Sequence, residues 1–168
     1  MFNFISSLIN EDDKSNGTYV GVRLSGKSKS KIRKVAKEIG VPNMVANAEM
    51  HITVIFSRKH MVNYAPLGKL EEPIIAEVDK LTVFQKPESG SPRVLVITLK
   101  SPDLTKRHKS LMKDYGAEYD FDKYIPHVTL SYDCGEYDEN GHNIKEYFDD
   151  PLEISEEYEE VLKLDGYK

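Results

Sequence analysis

The strongest constraint on the fold of this chain is an internal repeat. TYVGVRL at 18–24 is β-branched and aromatic, as a strand requires, and RVLVITL at 93–99 reads the same way. Each is followed by a segment with helical spacing. In SGKSKSKIRKVAKEIG the apolar positions are Ile32, Val35, Ala36 and Ile39. In SPDLTKRHKSLMKDYGA, Leu104, His108, Leu111, Met112 and Tyr115 fall at i, i+4, i+7, i+8 and i+11. Gly40 with Pro42 stops the first helix and Gly116 the second. A further strand then follows in each half, HITVIFS at 51–57 and PHVTLSY at 126–132, and both carry His-x-Thr near their start. Leu24 to Leu99 is 75 residues and His51 to His127 is 76, so the halves superpose almost without a gap. Two copies are too few for a solenoid. The expectation is an α+β fold of duplicated β-α-β lobes with pseudo-twofold symmetry. Antiparallel sheets would line a central cleft holding the two His-x-Thr motifs, with helices outside. A strand at 74–85, IIAEVDKLTVFQ, is expected between the lobes. Near the C-terminus, Leu152, Ile154, Tyr158, Leu162 and Leu164 share one parity, which favours a strand over a helix although Glu156 and Glu160 interrupt its face. The whole of 1–168 is expected to form a single two-lobed domain.

Composition removes several classes of protein. A chain of 168 residues, 39% hydrophobic, can bury a core, and its 10 Gly and 8 Pro form no run that would suggest a linker or disorder. The net charge of -5 argues against binding long nucleic acid, which needs many Lys and Arg contacts to phosphate. A small anionic ligand in a local pocket remains allowed. The sole cysteine, Cys134, makes neither an internal disulfide nor a cysteine metal site, and fits a reducing cytosol. The opening MFNFISSLIN has no Lys or Arg before its apolar patch, unlike a secretory signal. No apolar run approaches the roughly 18 residues of a membrane span, so no membrane partner is expected.

Alternation along a strand places His51, Thr53 and Ile55 on one face and Ile52, Val54 and Phe56 on the other. In the second copy His127, Thr129 and Ser131 share a face, opposite Val128, Leu130 and Tyr132. Two imidazoles titrate near neutrality and two hydroxyls donate hydrogen bonds, a set suited to phosphodiester cleavage. One imidazole takes a proton from the nucleophile and the other protonates the leaving oxygen, while the hydroxyls hold the non-bridging oxygens. Such chemistry needs no metal and no cofactor in principle. One His-x-Thr means little, because a lone strand histidine is more often structural. Two in matched contexts leave packing alone without a reason for both imidazoles on the polar face.

HIT at 51–53 and PHVTL at 126–130 resemble the paired HxT motifs of the 2H (LigT-like) phosphoesterase superfamily. The resemblance covers essentially the whole chain. GTYVGVRL at the first strand, EMHITVIFS and the tail VLKLDGYK are similar to the phage anti-CBASS cyclic-nucleotide nucleases. That likeness implies metal-independent cleavage of cyclic di- and trinucleotides in the host bacterial cytoplasm, with His51, Thr53, His127 and Thr129 as catalytic residues. It also implies base-binding groups: an aromatic near the first strand, matched by Tyr19, and an acidic and an aromatic residue near the C-terminus, assigned to Glu160 and Tyr167. The chain departs from that pattern in having no Trp for the tail. The implied partner is the cyclic oligonucleotide substrate, and a homo-oligomer is left open.

Rival signals exist. GVRLSGKS at 21–28 matches GxxxxGK[ST] between a strand and a helix, which keeps a P-loop NTPase as an alternative, although Val22 and Leu24 alternate as strand residues. A 2′,3′-cyclic phosphodiesterase or 2′–5′ RNA ligase-like enzyme, and a sponge that binds cyclic nucleotides without turnover, are the others. KSKSKIRK at 27–34 reads as a solvated helix face, and His108 as a core-boundary residue. His60 and His142 lie in expected loops without metal-ligand spacing. The seven carboxylates between Asp149 and Glu160 are expected on an exposed strand face rather than around a cation.

Overall fold

The computed structural model describes residues 16–121 and 123–163. Six strands appear, β1 (Gly17–Leu24), β2 (His51–Ser57), β3 (Gly68–Phe84), β4 (Val94–Lys100), β5 (His127–Ser131) and β6 (Leu152–Leu162), with helices α1 (Gly26–Glu38) and α2 (Pro102–Asp114). Both helices start on serine caps. Ser25 Oγ accepts from the Ser28 amide at 3.2 Å and Ser101 Oγ from the Leu104 amide at 3.3 Å. Gly40 and Gly116 follow the helix ends at φ of 74° and 65°, the left-handed region that favours glycine there. The buried faces are the expected ones, Ile32, Val35 and Ala36 on α1 and Leu104, His108 and Leu111 on α2. Met112 sits at the rim instead, 36% exposed.

All pairings are antiparallel, in the order β1-β2-β5-β4-β3-β6, and β6 returns to β1. A single closed sheet stands where separate sheets were expected. The reason is the length of β3, whose second half pairs with β4 from Glu77 to Phe84 while its first half pairs with β6 from Gly68 to Ala76. Pro73, which lacks an N–H to donate, lies within the interruption of that ladder between Lys69 and Ile74. Across the seam between β2 and β5 a single Cα pair, Ile52 with Val128, closes the ring. One face of the sheet packs with the helices into a continuous core that includes Val20, Val22, Ile52, Val54, Ile97, Leu99, Val128 and Leu130. The opposite face carries the histidines.

Register shifts on β2, β5 and β6 alter the expected alternation. On β1, Val20 pairs with Ile55 but Gly21 with Thr53, so β2 carries an extra residue at Val54. Ile55 therefore turns into the core, fully buried, and Phe56 comes opposite Tyr19. The same event occurs one residue after the second threonine. Leu95 pairs with Ser131 and Val96 with Thr129, leaving Leu130 extra and Ser131 buried rather than beside Thr129. On β6 the shift falls at Ser155, since Leu24 pairs with Ile154 and Arg23 with Glu156. Beyond it, Glu156, Tyr158 and Glu160 lie opposite Arg23, Gly21 and Tyr19, so Tyr158 leaves the apolar parity expected for it.

Candidate active site

Each motif histidine is fixed by the carbonyl two residues before it. His51 Nδ1 donates to the Glu49 carbonyl at 2.7 Å, and His127 Nδ1 donates to the Ile125 carbonyl at 2.9 Å. A carbonyl only accepts, so the proton resides on Nδ1 in both rings, and each neutral ring presents Nε2 with a free lone pair. His51 and Thr53 of β2 and His127 and Thr129 of β5 are all half-buried, while Ile52 and Val128 between them are sealed in the core. The antiparallel Ile52–Val128 pair sets His51 level with Thr129 and Thr53 level with His127. The two motifs thus meet head to tail on neighbouring strands.

Burial lowers the pKa of His127, and the charge of His51 lowers it further, while the hydrogen bond to Ile125 works in the opposite sense. Phe84 stands edge-on to the His127 ring with centroids 5.0 Å apart, an apolar wall consistent with that desolvation. On the other side, Tyr19 lies edge-on to His51 at 6.1 Å, and its hydroxyl meets Thr53 Oγ1 at 2.9 Å. Tyr19 is only 9% exposed, and burial raises its pKa, so the phenol keeps its proton. Tyr124 donates its hydroxyl to the Thr53 carbonyl at 2.7 Å, holding the strand from behind.

Tyr19, Glu160 and the two motifs are brought onto one face, because Glu160 is the cross-strand partner of Tyr19. Glu160 is exposed there. Tyr167 lies outside the described residues. Reasoning from sequence missed Arg23, the cross-strand partner of His51, whose guanidinium sits 4.0 Å over the Tyr158 ring and 3.3 Å from Glu156. Its signal was available, since Tyr19, Gly21 and Arg23 share a parity. Gly21 has a steric reason to lack a side chain: a Cβ there would lie 2.7 Å from Tyr158 Cζ and 2.9 Å from Tyr19 Cε1.

The P-loop alternative fails on geometry. GVRL belongs to β1, so only Ser25 separates strand from helix, and Ser28 Oγ accepts from the Glu153 amide at 2.8 Å, buried against β6. No loop remains to cradle a phosphate. The expected exposed carboxylate face also needs correction. Glu157 is 2% exposed and is held by Arg107 through two 2.8 Å bonds, with Tyr64 hydroxyl and the Leu67 amide completing its partners at 2.9 Å. His108 is a core residue as expected, donating Nδ1–H to the Val54 carbonyl at 2.7 Å and stacked on Tyr124 at 4.3 Å.

A structural likeness to the crystal structure of E. coli LigT complexed with phosphate has a TM-score of 0.47 and 14% identity, covering 86% of this chain and 85% of that one. It is 32% identical over 152 residues to anti-CBASS protein Acb1 of Salmonella phage S16, covering 90% of this chain and 92% of the relative. To anti-CBASS protein Acb1 of Enterobacteria phage T4 it is 33% identical over 153 residues, covering 91% and 93%. A family model described as anti-CBASS protein Acb1 matches residues 16–168. With the paired motifs on one face and this match along nearly its full length, the chain belongs to the Acb1 family of anti-CBASS proteins.

Proposed function

We propose that this protein is a metal-independent phosphodiesterase that cleaves 3′–5′ bonds of cyclic di- and trinucleotide messengers such as 3′,3′-cyclic GMP-AMP. In a phage it would act in the host bacterial cytoplasm against CBASS defence. The observation that carries the reading is the matched pair of imidazoles, each with Nδ1–H held by a carbonyl and Nε2 free on the face shared with two threonine hydroxyls. The strand order supports the duplicated-lobe reading too, because exchanging β2 with β5, β1 with β4 and β6 with β3 returns the same order.

In this mechanism His127, kept neutral by burial and by its neighbour, is the base. Its Nε2 takes the proton of a ribose 2′-OH, whose oxygen attacks the adjacent phosphorus in line. The bond to the 5′-oxygen breaks, and His51 delivers a proton to that oxygen, leaving a 2′,3′-cyclic phosphate on a linear product. Thr53 and Thr129 donate to the non-bridging oxygens as negative charge accumulates. With Tyr19 donating to Thr53 Oγ1, the threonine's own proton is left for phosphate. Arg23, paired with Glu156, presents its guanidinium on the His51 side. Glu160, Tyr167 and the edge of Tyr19 are assigned to the bases.

The test is turnover and binding of 3′,3′-cyclic GMP-AMP by His51→Ala and His127→Ala. Each substitution should lower kcat by about two to four orders of magnitude while the ligand still binds. Wild-type rates in both variants would remove the histidines from the chemistry. Tight binding by the unaltered chain with no product would make the protein a sponge.

A further inference from the structure

Beside the His127 motif, sharing Phe84 with it, a groove of about 1000 Å³ runs between α2 and the segment 123–126. Six lysines line it from four separate parts of the chain: Lys80 of β3, Lys100 at the end of β4, Lys106, Lys109 and Lys113 of α2, and Lys123. Against them stand two carboxylates, Asp79 and Asp114, and Asp79 is already paired with Lys100 and Lys145 at 3.7 Å each. Among the described residues, none of the other five lysines has a carboxylate within ion-pair distance. In a chain of net charge -5, so many uncompensated ammonium groups around one concavity create a local positive field. Thr105 and Ser110 add hydroxyl donors on the same helix face.

The groove continues into a second concavity that shares Thr105, Lys109, Lys113, Lys123 and Tyr124 and adds Tyr119 and Phe121. Phe121 is 68% exposed, with its ring edge-on to Tyr119 at 5.4 Å. A large exposed aromatic beside lysines offers a π-face for a base at the end of a phosphate track. We propose that this groove is a second nucleotide site, taking a molecule with at least two phosphates and a base. The lysines of α2 and Lys123 would hold the phosphates, and Phe121 would stack the base.

The site adjoins the two motifs through Phe84, which stands edge-on to His127, and through the segment 124–125. Tyr124 and Ile125 line the groove, and the same two residues hold the Thr53 and His127 partners described above. A ligand that draws Lys123 toward α2 acts on both anchors, so occupancy should change kcat.

The experiment is acetylation footprinting of the full chain with the linear dinucleotide pApA or inorganic triphosphate, alongside equilibrium binding of fluorescent pApA. Lys109, Lys113 and Lys123 should be protected by pApA, while the exposed Lys27, Lys31 and Lys34 of α1 serve as unprotected controls. Lys109→Glu with Lys113→Glu should weaken pApA binding at least tenfold and flatten the salt dependence by about 0.7 logarithmic units per lost contact. Phe121→Ala should weaken it by roughly fivefold or more. Equal protection of α1 and groove lysines, or unchanged binding in the lysine variant, overturns the site. Protection by triphosphate as strong as by pApA, with Phe121→Ala silent, overturns its assignment to nucleotides.

Discussion

His127 is where burial and charge combine most clearly. Its pKa lies below the ordinary imidazole value of 6.5, first through desolvation and then through the His51 charge. As the proposed base it must be neutral, so the acidic limb of the pH–rate profile should fall below 6.5. Replacing His51 with Gln removes the repelling charge and should raise the His127 pKa in an NMR titration; an unmoved or lowered value would contradict the pairing. The stability linkage has a definite sign. A folded-state pKa below the unfolded one means the unfolded chain binds protons first, so stability is full above the unfolded value and is lost as pH falls through it toward the folded one. His108, lowered by burial, adds in the same direction. In the proposed mechanism the Tyr19 hydroxyl positions Thr53, so Tyr19→Phe, which keeps the ring, should lower kcat about two- to tenfold with KM little changed. A loss of affinity with kcat intact would move Tyr19 from the threonine to the base.

The two HxT strands show what a sequence discloses and what it conceals. Alternation from His51 to Val54 and from His127 to Leu130 was legible, because polar and apolar residues there follow the pleat. The extra residues that come next were not. Val54 and Leu130 are ordinary strand formers, so nothing in their chemistry marks a bulge, and the facing strand alone reveals it. The misplacement of Tyr158 has the same cause at Ser155. Glu157 was concealed for another reason: within a run of carboxylates it resembles its neighbours, and its partner Arg107 lies 50 positions away. Arg107→Met leaves that buried carboxylate without its guanidinium and should destabilise the fold by about 3 kcal/mol in a denaturant titration. A loss under about 1 kcal/mol would mean that Tyr64 and the Leu67 amide suffice.

The repeat was enough to anticipate that the two motif strands come together, since matched strands in matched surroundings have matched neighbours. Ring closure was not legible, because it depends on how far β3 extends and on which half of it pairs with β6. Closure makes β2 and β5 neighbours and brings both motifs together at a seam with one residue pair, where the sheet is least tied. No described helix is long and apolar enough to cross a membrane. In the proposed mechanism the two imidazoles move the protons and the substrate's own 2′-OH attacks, with no metal. The ends formed from 3′,3′-cyclic GMP-AMP in excess EDTA distinguish this from attack by water. A linear product ending in a 2′,3′-cyclic phosphate, or in the monoester it opens to, is the predicted result. A product with a 5′-phosphate and a free 3′-OH, or activity lost in EDTA and restored by Mg²⁺, would contradict it.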